Sequence, residues 1–182
     1  EDAIREFGRK LRKHRGVGLF YYAGHGMQIG GVNYLIPVGA RVEKETDVKF
    51  QAVNADMILA EMENAENGMN IVLLDACRDN PFGRTFRSAS RGLAIISAAP
   101  TGTFISYSTG ANQLARDGKG RNSPYTKALL DNIAKPGLTI SDVFMEVRKR
   151  VLKETGQTPW ELSSLVGHFY FRPGIRDSTE QV

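Results

Sequence analysis

A chain of 182 residues, 41% apolar and 24% charged, has the bulk of one domain with a core large enough to need no staples. A single cysteine excludes an internal disulfide framework and any cysteine-based zinc site, and no apolar run approaches the roughly 20 residues of a membrane span. The net charge of +4 is modest, and the basic runs at Arg9–Arg15, Arg84–Arg91 and Arg148–Lys153 are scattered and lack interleaved aromatics, so they read as solvated faces, with neither a nucleic-acid nor a membrane surface expected.

The chain opens without a methionine inside a charged segment, which suggests a piece of something longer. Residues 2–14 carry Ile4, Phe7 and Leu11 at helical spacing, with Arg15-Gly16 as the stop. Val17–Ala23 is an apolar, aromatic strand that breaks into Gly24-His25-Gly26. Met27–Ile29 and Val32–Ile36 predict a hairpin turned at Gly30-Gly31, and the charged stretch 41–49 reads as loop. Phe50, Val53, Met57 and Ala60 suggest a helix over 50–66, ending before Gly68.

Ile71–Leu74 is continuously apolar, the pattern of a strand buried on both faces, and it ends abruptly in Asp75-Ala76-Cys77. The basic, serine-containing segment from Arg84 to Gly92 has no apolar periodicity and reads as an exposed, mobile linker. Ile95-Ile96 suggests a short buried run, Thr103–Ser108 another sheet strand, and Gly110–Asn122 a long loop of the kind that carries function. Ser123-Pro124 opens a helix that Lys135-Pro136-Gly137 closes. Thr139 and Asp142 form a capping box for a further helix with one apolar stripe: Ile140, Val143, Phe144, Val147, Val151 and Leu152. Gly167–Phe171 reads as a last strand, before a polar tail.

Strands separated by helices predict an α/β domain, a mostly parallel sheet with helices on both faces. Strand 17–23 has the apolar character of an interior strand with nothing but a helix before it, so further strands are expected upstream. Ligands of such sheets bind outside the carboxyl ends of the strands. His25 and Cys77, 52 positions apart, each stand at one of those ends. A thiol is weakly ionised at neutral pH, and an adjacent imidazole activates it and later protonates the leaving group. The N–H groups of Gly26 and Cys77 are placed to receive an oxyanion, while the flanking glycines let a substrate backbone approach. His14 lies in a basic helix end and His168 begins the last strand, so neither competes. On spacing alone, a buried structural cysteine and a histidine that satisfies a loop explain the pair equally well. Gly24-x-Gly26 has Ile29 where a dinucleotide fingerprint needs its third glycine, and no Walker A, HExxH or EF-hand pattern occurs.

Three separated motifs, Phe20-Tyr-Tyr-Ala-Gly-His-Gly26, Asp75-Ala-Cys-Arg-Asp-Asn80 and Ser106-Tyr-Ser-Thr109, resemble those of the caspase-like cysteine peptidases, with the flavour of the bacterial metacaspase-like or orthocaspase branch. A histidine about 50 residues before the cysteine is a feature of that family. The likeness runs from about residue 3 to 172 and favours the Cys–His reading. It implies a caspase-like fold of about six strands lacking the first two here. The peptidase domain would be 1–172, with a large-subunit-like part to about 83, a linker over 84–92, a small-subunit-like part over 93–172 and a tail over 173–182.

By the same resemblance His25 is the general base or acid, Cys77 the nucleophile, and the Gly26 and Cys77 N–H groups the oxyanion hole, for peptide hydrolysis through a thioester. Asp75 stands where metacaspases, which cut after Arg or Lys, carry an aspartate. A carboxylate at a pocket floor selects a basic side chain by charge-assisted bonding, and the competing role for Asp75 is capping nearby N–H groups. Asp117 is a second pocket wall, Asp79 pairs with Arg78 in a loop, and Ser106 and Tyr107 line the cleft by pairing their backbone with an extended peptide. Arg84, Arg87 and Arg91 lie at the subunit junction of relatives and are candidate self-processing sites. The acidic cluster used for calcium in many metacaspases is not recognisable, so neither metal nor cofactor is expected. Gly39 stands where relatives have Asp. The partner expected is a polypeptide substrate, with a monomeric, cytoplasmic enzyme as the leading expectation. A catalytically silent caspase-fold interaction module and a peptidase cutting after Asp are the alternatives.

Overall fold

A computed structural model describes residues 1–77, 89–90, 93–94, 96, 99–110 and 120–174, with the backbone alone for Cys77, Ala89 and Ser90. Asp117, Arg78, Asp79, the linker arginines Arg84, Arg87 and Arg91, Ile95 and the end of the tail lie outside the described residues.

In chain order the elements are α1 (Asp2–His14), β1 (Gly16–Ile29), β2 (Val32–Ile36), α2 (Glu45–Gln51), β3 (Val53–Asn54), α3 (Ala55–Asn64), β4 (Gly68–Cys77), β5 (Ala89–Ser90), β6 (Thr103–Tyr107), α4 (Pro124–Ile133), α5 (Ile140–Thr155) and β7 (Trp160–Ser163). They form an α/β domain around one mixed sheet in the order β3-β2-β1-β4-β6-β7, with β5 pairing β1. The three central strands β1, β4 and β6 are parallel, and the strands outside them are antiparallel. Helices cover both faces, so the caspase-like α/β fold expected from the sequence is present.

Alternation along β4 decides the layers. Val72, Leu74 and Ala76 pack with Ile105, Tyr107 and residues of α1 and α3, among them Leu11, Ile58 and Met62. Ile71 and Leu73 point the other way and pack with Phe104 and with Tyr125, Leu129, Val143, Phe144 and Val147 of α4 and α5. A third cluster of Met27, Tyr34, Val42 and Val48 holds the β1–β2 hairpin on α2.

Several expectations from the sequence hold. α1 spans residues 2–14, the hairpin turns at Gly30 and Gly31 with φ of 59° and 84°, and Ser123 and Thr139 cap α4 and α5 by accepting from Thr126 N–H and Asp142 N–H. Others are corrected. The strand expected over 17–23 runs on to Ile29, because the residues after the parallel section pair with β2 instead of leaving the sheet. The charged loop over 41–49 contains the start of α2, whose N-terminus is tied down by Asp47 Oδ2 accepting from the N–H groups of Glu43 and Lys44.

The helix over 50–66 is broken in two. Val53 pairs with Leu35 in the sheet, and the Asn54 side chain starts α3 by accepting from Asp56 N–H. The last strand is Trp160–Ser163, not Gly167–Phe171; the latter instead packs Phe169 and Phe171 against the α4–α5 core and donates no ladder. Leu152 faces solvent while the rest of its stripe is buried. The N-terminal half of β1 has β4 on one side, and among the described residues no strand lies on its other edge, where Val17, Leu19 and Tyr21 are exposed.

Candidate active site

The site lies where the parallel pairing of β1 and β4 ends. Ten residue pairs in register run from Gly16↔Gly68 to His25↔Cys77, so the chain places the histidine and the cysteine opposite each other at the last rung of two adjacent strands. The backbone direction at this rung follows from two observations. The two-residue turn at Gly30-Gly31 closes on Ile29↔Val32, and in such a hairpin the residues whose N–H groups face the partner strand alternate. Ile29, Met27 and His25 therefore face β2, and Gly26 turns its N–H toward the β4 side. Ser108 N–H donates to Leu74 O, so even positions of β4 face β6 and Cys77 faces β1. Both amides face the seam between β1 and β4, and the pairing of His25 with Cys77 engages them there, Cys77 N–H toward Gly24 O and Gly26 N–H toward Cys77 O.

Behind the seam, packing leaves no room for a side chain at either glycine. A Cβ on Gly26 would lie 2.9 Å from a Leu93 methyl and 3.1 Å from Ala76 Cβ, and one on Gly24 would lie 2.7 Å from the Tyr22 hydroxyl. That hydroxyl folds under Gly24 to reach His25 O at 2.7 Å and Ile36 O at 2.8 Å, bracing the rung that carries the histidine. Burial, partly offset by the bond to Ile36, pushes the Tyr22 phenol up to about 12.

In front of the seam is a cavity of about 330 Å³ lined by Tyr21, Ala23, His25, Asp75, Arg121, Ser123 and Thr126, among others. Asp75, only 4% exposed, is its buried acid. Ser123 Oγ and Thr126 Oγ1 each donate to Asp75 Oδ2 at 2.5 Å, and the Tyr21 hydroxyl stands 2.6 Å from Thr126 Oγ1. Burial, ahead of the neighbouring Asp75 charge, raises the Tyr21 phenol above its ordinary value. Asp75 binds side-chain hydroxyls, so the capping of nearby N–H groups considered from the sequence is not among its bonds in the described residues.

The structure therefore brings His25, Cys77, Gly26 and Asp75 together. It does not bring Ser106 and Tyr107 to the cleft. Both are in the middle of the sheet, paired to Leu73 and Leu74 on one side and to Glu161 and Trp160 on the other, so neither edge is open to a peptide. Their side chains are 1% and 3% exposed, Ser106 accepting from the Tyr125 hydroxyl and Tyr107 from Ile96 N–H. His168 lies away from the site, its ring 6.5 Å from that of Tyr170. Ser123, Thr126, Tyr21 and Arg121 were missed by sequence reasoning. Ser123 was legible as a helix cap, but nothing in a sequence shows that a cap hydroxyl also meets a carboxylate 48 positions away. Among the described residues no group of three or more His, Cys, Asp or Glu could hold a metal ion, and no helix is long and apolar enough to cross a membrane.

Comparison with known proteins agrees with this fold. Residues 1–170 match the profile of the caspase domain of peptidase family C14. The chain is also similar to the mucosa-associated lymphoid tissue lymphoma translocation protein 1 of Homo sapiens, 40% identical over 78 residues, which are 42% of this chain and 9% of the human protein. The Mus musculus homolog matches to the same extent. The chain thus covers a small part of the length of these relatives. With the profile spanning nearly all of its residues and the sheet and helices to match, the chain belongs to the caspase domain family of cysteine peptidases.

Proposed function

We propose that the chain is a cysteine endopeptidase that hydrolyses polypeptides after a basic residue. The observation that carries this reading is the buried Asp75 on the wall of a cavity that also contains His25, two positions before the Cys77 rung. Two positions is the period that returns a strand to the same face. A buried carboxylate with hydroxyl partners is a receptor for guanidinium or ammonium.

In the mechanism we infer, His25 takes the proton of the Cys77 thiol, the sulfur adds to the scissile carbonyl, and the oxyanion takes the Gly26 and Cys77 N–H groups at the end of the β1–β4 seam. Because both N–H groups hold ladder bonds at that rung, the oxyanion takes them by displacing two ladder carbonyls, those of Gly24 and Cys77. His25 then protonates the departing amine, leaving a thioester that water hydrolyses by the reverse proton route. Asp75 also supports placement in the metacaspase-like branch. The linker arginines Arg84, Arg87 and Arg91 would be substrates of such an enzyme; incubated protein whose linker stays intact while an Arg peptide is consumed would remove self-processing.

One observation favours a second reading. Arg121 lies at the mouth of the same cavity and is exposed, and a cation there suits an acidic substrate residue. The buried charge outweighs it, since solvent screens a rim charge far more than a floor charge. A panel of fluorogenic peptides with Arg, Lys or Asp before the cut, run beside Cys77→Ala, tests the choice. Turnover of Arg and Lys peptides that disappears in the variant is expected. Cleavage after Asp alone would overturn the specificity, and no turnover of any peptide would leave a silent interaction module.

A further inference from the structure

The hydroxyls around Asp75 contain information that the bare presence of an acid does not. We infer that Ser123, Thr126 and Tyr21 form a proton-spent hydroxyl relay that fixes the plane of the Asp75 carboxylate and thereby makes the cavity select arginine over lysine. This rests on the reading of Asp75 as the pocket acid.

The direction of every bond in the relay follows from counting protons. A carboxylate only accepts, and each hydroxyl has one proton to give. Ser123 Oγ accepts the Thr126 N–H as cap of α4, at 3.0 Å, and gives its own proton to Asp75 Oδ2. Thr126 Oγ1 gives its proton to the same oxygen. The 2.6 Å contact between Tyr21 and Thr126 can then run only one way, with the tyrosine donating and the threonine accepting.

Two consequences follow. Oδ2 holds two short bonds from one helical turn, so the carboxylate cannot rotate to suit its ligand. All three hydroxyl protons are used within the wall, so these groups have none left for an incoming carboxylate or amide oxygen; they present acceptors. With Oδ2 filled by the two hydroxyls, the wall offers Oδ1 together with the remaining lone pairs of the hydroxyl oxygens, a spread set of acceptors that suits the multi-donor guanidinium, whereas a compact lysine ammonium reaches fewer of them. Ser123, Thr126 and Tyr21 act through Asp75 and are positioning residues.

The relay reaches across the fold. Tyr21 is on β1, Asp75 on β4, and Ser123 and Thr126 begin α4. Ser123→Ala would also remove the α4 cap, so Thr126 and Tyr21 are the sites to alter. With two peptides differing only in Arg or Lys before the cut, the wild-type protein is expected to prefer Arg by about tenfold or more, the scale of one charge-assisted hydrogen bond. Thr126→Val should narrow the preference to about threefold or less, chiefly by raising KM for the Arg peptide while kcat stays near its wild-type value. Thr126→Ser, which keeps the hydroxyl, should restore it. Tyr21→Phe, at a side chain 40% exposed and so safe for folding, should fall between.

A parallel measurement avoids turnover: benzamidine titrated into Cys77→Ala should bind about tenfold more weakly once Thr126→Val is added. An unchanged Arg-to-Lys ratio in both Thr126→Val and Tyr21→Phe, or unchanged benzamidine binding, overturns the relay while leaving the peptidase reading in place. A wild-type protein that neither cleaves basic peptides nor binds benzamidine overturns the pocket reading, and the relay with it. If Thr126→Val does not fold, the comparison of Thr126→Ser with Tyr21→Phe decides.

Discussion

At the scale of single residues, the demands on this chain concentrate in a few positions around one rung of the sheet. Cys77→Ala and His25→Ala should each lower peptide hydrolysis by about a thousandfold or more with unchanged thermal unfolding, as turnover and calorimetry on the same samples would show. Asp75→Asn keeps the shape and removes the charge, and should lower kcat/KM for basic peptides by about 10- to 100-fold. Gly26→Ala tests the packing account of the glycine motif. Its new methyl meets Leu93 and Ala76, so a loss of about 1–3 kcal/mol in denaturant unfolding is expected even though no catalytic group has changed. Tyr22 gives a pH test. Its phenol is pushed above the value of an exposed tyrosine to about 12, so the folded state holds that proton more tightly than the unfolded one. The stability it contributes is complete below about pH 10 and fades as the pH rises through 12. Tyr22→Phe should flatten the fall in unfolding free energy across that interval relative to wild type.

At the scale of elements, caps and registers do the placing. The Thr139–Asp142 box starts α5: Thr139 Oγ1 accepts from Asp142 N–H, and Asp142 Oδ2 accepts from Thr139 N–H at 3.1 Å and from its hydroxyl at 2.6 Å. These bonds, to the hydroxyl first, lower the Asp142 carboxyl below its usual range. A depressed carboxylate contributes stability above its unfolded pKa and loses it as pH falls through the folded one, so Asp142→Asn should cost more at neutral pH than at about pH 3. Thr139→Ala should cost about 1 kcal/mol in equilibrium unfolding. The capping box was legible because it is local, four residues in a row. The division of 50–66 into α2, β3 and α3 was not. Its cause is the pairing of Val53 with Leu35 in the sheet, a partner 18 positions away that no helical periodicity reports.

At the scale of the whole molecule, two apolar layers hold the sheet between helices, and the layer under α4 and α5 supports the pocket wall. Phe144 meets Phe104 with ring centroids 4.8 Å apart, beside Tyr125, which follows the relay's Ser123 on α4. Phe144→Ala should remove about 3–5 kcal/mol of stability. The bonds of Arg150 to Asp131 and Glu154, and of Arg148 to Glu161 and Pro159 O, tie α5 to α4 and to β7. The half of β1 that carries no strand on its outer edge contrasts with its central place by sequence. Its apolar residues on the exposed face are those that prompted the expectation of an interior strand.

The sequence alone determined what depends on near neighbours and on matched motifs: the helix at 2–14, the Gly30-Gly31 turn, the caps at Ser123 and Thr139, the buried strand 71–74, and the family to which His25 and Cys77 point. Only the tertiary structure decided what depends on distant partners. It closed both edges of Ser106 and Tyr107, moved the last strand to Trp160–Ser163, and gave Gly26 and Gly24 their packing reasons. It also gathered Tyr21, Ser123 and Thr126 around Asp75. The physical reason is the same throughout: hydrogen-bond complements and steric neighbours across a sheet are set by register and layer packing, and neither quantity is written within the short span of residues where a motif is read.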